Sequence, residues 1–180
     1  MRKLKKIFIL LPIFFGTVLG VQAQKFGYVD LDYIMEQMPE YQEAQSELDR
    51  LAASWQKEIQ QMYKEIEGMY NELKAEEVLL TAEMKEERLQ EIKEKEEEVK
   101  AYHNKVFGVE GLFFLKNKEL VKPIQDKVFE AVEKVAKDKR LQTVFDKSGG
   151  LVMIYTNPIH DYTDYVLEEL GLGDPNDVIK

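Results

Sequence analysis

Between Pro39 and Pro123 the chain carries no proline, and its apolar residues return at three- and four-residue steps through a background of charge. Ala44, Leu48, Leu51, Trp55, Ile59, Met62, Ile66, Met69 and Leu73 follow one another at spacings of 4, 3, 4, 4, 3, 4, 3 and 4. That is a heptad seam with one extra four-residue step at Trp55, a stutter that relaxes a supercoil locally. Val78-Leu79-Leu80-Thr81 breaks the pattern, and Thr81 is a good N-cap with Glu83 in the turn behind it. A thinner seam follows, through Met84, Leu89, Ile92, Val99, Tyr102, Val106 and Val109. One straight helix over the whole run would reach on the order of 120 Å at ~1.5 Å per residue. A helix that goes out, turns at 78–81 and comes back is the economical solution, so the pattern predicts a long antiparallel helical-hairpin arm. Between Ile92 and Val99 the seam falls within Lys93-Glu-Lys-Glu-Glu-Glu98. Pairs such as Glu91–Lys95 and Glu96–Lys100 add only ~0.3–0.5 kcal/mol each. The distal arm is therefore expected to be loosely packed and mobile.

Strand-like segments flank the arm. Lys25-Phe-Gly-Tyr-Val-Asp30 reads as a short strand, with Asp30 and Asp32 as caps for a short helix over 31–38. Pro39 suits the first turn of the next helix, where its missing N–H costs nothing. On the return side, Leu120, Ile124, Val128, Val132 and Val135 form an amphipathic face, and Pro123 inside it predicts a kink or a restart. Thr143–Asp146 and Leu151–Tyr155 read as two strands joined by a Lys147-Ser-Gly-Gly150 hairpin turn. The second strand is apolar without alternation, so both its faces should be covered. A last helix is expected after Asp161 or Thr163 and closes at Gly171. Three short strands and a few helix ends bury themselves poorly. Self-association is the natural remedy, and Val29, Val144, Val152 and Ile154 are its expected core. The fold class is thus mainly α with a small β head, from which a helical-hairpin, coiled-coil arm projects.

The extreme N-terminus reads as an address. Arg2, Lys3, Lys5 and Lys6 precede an apolar stretch over 7–19, and Val21-Gln22-Ala23 places small or apolar residues at the −3 and −1 positions. The expectation is a secretory signal peptide cleaved between Ala23 and Gln24, leaving no integral membrane segment. Four domains follow: 1–23 signal peptide, 24–38 first part of the head, 39–120 arm, and 121–180 return-helix base, strand pair and terminal helix. The full chain has a formal charge of −9, and removing four basic residues makes it about −13 by counting. So acidic a chain is not expected to bind nucleic acid, which needs basic surface. There is no cysteine, which for an exported chain fits a bacterial periplasm better than a disulfide-dense extracellular space.

Candidate chemistry is sparse. His160 with Asp161 and Asp164 lacks the ligand spacing of a zinc site and reads as a turn and helix cap. Gly149-Gly150 is not followed by the Lys-Ser/Thr of a phosphate loop. No nucleophile–base pair stands out, and solvated carboxylates lack the cleft that acid–base work needs. No enzyme activity, catalytic residue, metal or cofactor is expected.

The order of signal peptide, strand, charged helical hairpin, strand pair and short helix resembles the Skp/OmpH family of periplasmic chaperones. The matching pieces are Phe26-Gly-Tyr-Val-Asp-Leu31, Met38-Pro-Glu-Tyr41, Val121-Lys-Pro-Ile124, Val132-Glu-Lys-Val-Ala136, Val144-Phe-Asp146 and Asp161-Tyr-Thr-Asp-Tyr-Val166. The resemblance implies a homotrimer with a small β trimerisation body. Its arms would enclose a cavity that holds unfolded outer-membrane β-barrel proteins without ATP in the periplasm of a Gram-negative bacterium. The best-known member has basic arms. Here residues 43–103 carry 17 acidic and nine basic residues. No basic cluster matches the family's lipopolysaccharide site, so lipopolysaccharide binding is not carried over.

Within the arm, Tyr63, Met69 and Tyr70 are the candidate client-binding residues, because adaptable methionines and amphipathic tyrosines suit a promiscuous surface. The bland alternative is that this stripe simply holds two helices together. Two readings of the whole chain stand side by side: a holding chaperone, and a coiled-coil spacer of the envelope without a client.

Overall fold

A computed structural model describes residues 24–150 and 152–173. The expected signal peptide, with Ala23 at its end, lies outside the described residues, as does Leu151. The elements are β1 (Phe26–Val29), α1 (Leu31–Glu36), α2 (Pro39–Glu76), α3 (Ala82–Phe107), α4 (Leu112–Lys139), β2 (Thr143–Asp146), a 3-10 turn (Pro158–His160) and α5 (Thr163–Glu169).

The arm forms as its seam dictates. Asp30 caps α1 by accepting from the Tyr33 N–H at 3.0 Å, and Pro39 opens α2 in its first turn. With 38 residues, α2 extends about 57 Å at ~1.5 Å rise. The tip falls at 77–81, and Thr81 Oγ1 accepts from the Met84 N–H at 3.2 Å to start α3. Buried positions repeat every seven residues on both helices, at Ile59, Ile66 and Leu73 going out and at Ile92, Val99 and Val106 coming back. Met62, Met69, Leu80, Tyr102 and Phe107 pack around most of this core. Met84 and Leu89 are exposed.

The return path is broken at Gly108–Gly111, and α4 then runs continuously through Pro123. The proline therefore marks no restart, because the interruption has already been made by an elbow 12 residues earlier. At that elbow Glu110 has φ 57° and Val109 is fully exposed, so Val109 is not a seam residue. A Cβ on Gly108 would meet the Asn104 carbonyl oxygen at 2.3 Å, and one on Gly111 the Val106 carbonyl oxygen at 2.6 Å. The turn is this tight only because both positions lack side chains. Beyond it, α4 packs along the base of α2.

The head is built where α4 ends. Ile34, Met38, Ala44, Ile124, Val128 and Val166 are among its buried core, with Leu31, Met35 and Leu120 packed around them. The left-handed Arg140 (φ 58°) closes α4, and the Leu141 N–H returns to the Ala136 carbonyl at 2.8 Å. Gly171 closes α5 in the same way, with the Leu172 N–H donating to the Leu167 carbonyl at 2.8 Å. Both are Schellman closures, the first made at the cost of a non-glycine residue in the left-handed region.

The sheet departs from expectation. β1 and β2 pair in parallel, with Phe26 opposite Thr143 and Val29 opposite Asp146. The expected hairpin between 143–146 and 151–155 is not formed, and residues 152–155 have no regular structure. The side chain of Asp146 explains the turn. Its Oδ1 accepts from Ser148 N–H (3.0 Å), Ser148 Oγ (2.6 Å) and Leu31 N–H (3.3 Å), tying the chain to the start of α1. The Lys147 N–H continues the ladder onto the Val29 carbonyl at 2.8 Å. The other side of β1 carries a single bridge, Tyr28 to Asp161. Among the described residues β2 has no strand on its far side.

Candidate functional site

Two kinds of exposed apolar surface result, one on the head and one on the arm. The head surface lies around the sheet. Phe26, Phe145, Met153, Tyr155 and His160 line a cavity of ≈ 320 Å³, and the His160 ring lies 4.7 Å from that of Phe26. Around it Val152, Ile154, Tyr155 and Ile159 are exposed, Ile154 almost completely, at 97%. The expectation that the 151–155 segment has both faces covered therefore fails within one chain. Among the described residues nothing pairs with it, since β1 takes β2 as its partner.

The four residues expected to form an oligomer core divide accordingly. Val29 is buried in the chain's own core and Val144 packs against it, whereas Val152 and Ile154 are left outside. Nearby, Lys147 sits 3.3 Å from Asp30 and 3.7 Å from Asp161. Burial pulls its ammonium down, but the hydrogen bond to Asp30 and the attraction of Asp161, Asp30 and Tyr28 outweigh that, and the net shift is upward. His160 and Asp161 are occupied structurally, His160 against Phe26 and Asp161 in accepting from Thr163 N–H and Oγ1 at 3.0 and 2.6 Å. Among the described residues no group of three or more His, Cys, Asp or Glu side chains could hold a metal ion.

On the arm, Tyr63 and Tyr70 are exposed and seven residues apart, on one flank of α2. Met69 is different. It is half-buried and packs into the seam. The Tyr70 hydroxyl donates to Glu96 at 3.1 Å, and the Tyr102 hydroxyl donates to Glu58. Each tyrosine is held above its ordinary pKa, mainly by that hydrogen bond. In the sequence, the charged stretch between Ile92 and Val99 looks like a plain gap. Glu96 fills part of it by receiving a tyrosine from the facing helix, a pairing visible only once the register of the hairpin is known.

Two further exposed patches lie away from the expected client-binding residues. Leu112, Phe114, Leu115 and Phe129 are exposed along α4, and Val78 and Leu79 are exposed at the tip, at 91% and 80%. The ion pairs of the arm, such as Arg88–Glu91, Lys95–Glu98 and Lys100–Glu97, all lie at the surface and add little stability each. Their effect is to leave a solvated acidic shell around an apolar seam. No helix among the described residues is long and apolar enough to cross a membrane.

A helical-hairpin arm on a small mixed head, with apolar surface left open on both, defines the architectural class. The chain belongs to the outer membrane protein (OmpH-like) family, whose model matches residues 25–170. It is similar in fold to the crystal structure of a candidate outer membrane chaperone (OmpH-like) from Caulobacter crescentus CB15. The TM-score is 0.66 at 10% identity, over 89% of this chain and 94% of that one. No curated protein matches the chain by sequence.

Proposed function

We propose that this protein is an ATP-independent holding chaperone of the bacterial periplasm, which keeps unfolded outer-membrane β-barrel proteins from aggregating. It would act as a homotrimer, joined through the heads, with the client held between the arms. The observation that carries this reading is the placement of apolar surface. The head exposes Val152, Ile154, Tyr155 and Ile159 beside the sheet, which suits burial against further copies. The arm has a sealed seam yet still exposes tyrosines, valine and leucine toward solvent. Membership of the OmpH-like family and the fold shared with a candidate outer membrane chaperone support it.

Mechanistically, many weak apolar contacts would hold a client, and their multiplicity would supply the affinity. No chemical energy is needed, because release follows when a folding site of higher affinity lowers the free client concentration. The deciding experiment dilutes a urea-unfolded outer-membrane β-barrel protein into buffer with and without the mature chain and follows light scattering. Suppression saturating at one trimer per client is expected. No suppression at any ratio would favour the spacer reading.

A further inference from the structure

We propose that the arm tip, Val78-Leu79, is a first-contact site for unfolded client chains that are apolar and neutral or basic. The inference rests on the chaperone reading and names where capture begins.

The two side chains are among the most exposed apolar groups described, at 91% and 80%. They are held outward by a braced turn. The Leu79 N–H donates to the Glu76 carbonyl at 2.8 Å, Thr81 caps the next helix, and Lys85 pairs with Glu77 across the turn. The neighbouring Leu80 is turned inward and packs against the arm core. The turn therefore already has its anchor without Val78 and Leu79. Turns are ordinarily made with glycine, asparagine, aspartate or serine, which expose no apolar surface. Two adjacent aliphatic side chains just beyond the end of a 38-residue helix have no role in holding the fold.

Charge selects the occupant. Residues 72–88 carry six acidic and three basic side chains, so the tip repels anionic surfaces, including bilayers rich in acidic lipid, and admits neutral or basic chains. Shape agrees. A small convex knob asks for a partner that can wrap it, and an unfolded chain does so without a preformed pocket.

The test uses the full mature chain and, as probe, a fluorophore-labelled small outer-membrane β-barrel protein of basic net charge, unfolded in urea and mixed by stopped flow. Replacing both residues, Val78→Ser with Leu79→Ser, should slow association roughly five- to tenfold, as expected when an encounter loses one or two aliphatic contacts. Thermal stability, oligomeric state and the final bound amplitude should not change. An unaltered association rate overturns the proposal. So does an equal slowing in Lys85→Gln, which loosens the turn but keeps both apolar side chains. A third overturning result is wild-type binding to phosphatidylcholine vesicles that the double variant loses while client capture stays intact, since that makes the tip a membrane contact. Failure of the chaperone reading itself is seen separately, as no capture by the wild-type chain.

Discussion

The indole of Trp55 meets the ring of Phe107 edge-on, with centroids 6.3 Å apart and planes at 87°. Phe107 also lies 6.1 Å from Phe113 across the elbow. The contact joins two irregularities. Trp55 is the stutter of the outgoing seam, and Phe107 is the last residue of α3 before the return path breaks. An extra four-residue step shifts the phase of the apolar stripe, so a continuous facing helix would lose register there. The return helix breaks opposite the stutter. Aromatic rings fill the space between.

Trp55 is the only tryptophan, so this junction reports on itself. Phe107→Ala should move Trp55 emission to longer wavelength and cost about 2–3 kcal/mol, below the fully buried range for losing a large aromatic side chain because Phe107 is only half-buried. Emission spectra and thermal melts check both. An unchanged spectrum would mean that the aromatic cluster does not shield Trp55 in solution.

Two glycines make opposite predictions. Gly68 lies inside α2, and a methyl group added there would have open space for 4 Å around it, so Gly68→Ala should stabilise the arm by ~0.5–1 kcal/mol. Gly108→Ala drives its methyl against the Asn104 carbonyl oxygen, 2.3 Å away, and should destabilise by ~1–3 kcal/mol, the usual cost of forced overpacking. Melting temperatures moving in opposite directions are the expected result. Equal shifts would show that the elbow relaxes freely.

Much of the arm is legible in the sequence because its determinants are local. The Ile59–Ile66–Leu73 stripe, Thr81 as cap and Pro39 at the first turn each act within a turn or two of helix. The sheet is not legible, because β1 finds β2 across the entire length of the arm, and no local pattern encodes that pairing. Gly149-Gly150 supplies a strong hairpin signal, but the Asp146 carboxylate ties the turn to α1 instead. Of the candidate client-binding residues, Met69 belongs to the seam, while Tyr63 and Tyr70 are exposed. Heptad position alone does not separate a seam-edge methionine from a flanking tyrosine.

The Tyr70–Glu96 bond makes the distal arm sensitive to alkali. Hydrogen bonding to Glu96 raises the Tyr70 pKa above its ordinary value of 10.0. A raised folded-state value means that the protonated phenol stabilises the fold. That contribution is complete below the unfolded pKa near 10 and is lost as pH rises through the folded one. Amide exchange over residues 92–99, corrected for its intrinsic pH dependence, should therefore lose protection above pH 10 more steeply in the wild type than in Tyr70→Phe. Identical pH profiles would show that the bond does not persist in solution.

Ile154 tests assembly without disturbing the chain's own core. At 97% exposure, Ile154→Asp should leave helicity and the melting of the isolated chain unchanged, yet break the proposed trimer by placing an unpaired charge in the interface. Val29→Asp, at a buried position of the head, should unfold the head itself. Sedimentation equilibrium and circular dichroism separate the two. An Ile154→Asp protein that stays trimeric at micromolar concentration would move the interface away from the 152–155 segment.

Salt should affect capture according to the client's charge. The arm carries 17 acidic and nine basic residues between 43 and 103, a net of −8, and its surface pairs neutralise only part of the acid. Such a field slows the approach of an acidic chain and speeds that of a basic one. Screening acts over ~8 Å near physiological ionic strength, so added salt should accelerate capture of an acidic unfolded β-barrel protein and retard that of a basic one. If client holding is apolar, as proposed, the final bound amplitude should change little. Stopped-flow association rates for one client of each sign, at low and high salt, give the answer. Opposite slopes are expected. If both rates fall together, or neither responds, charge does not steer capture and apolar contact alone governs it.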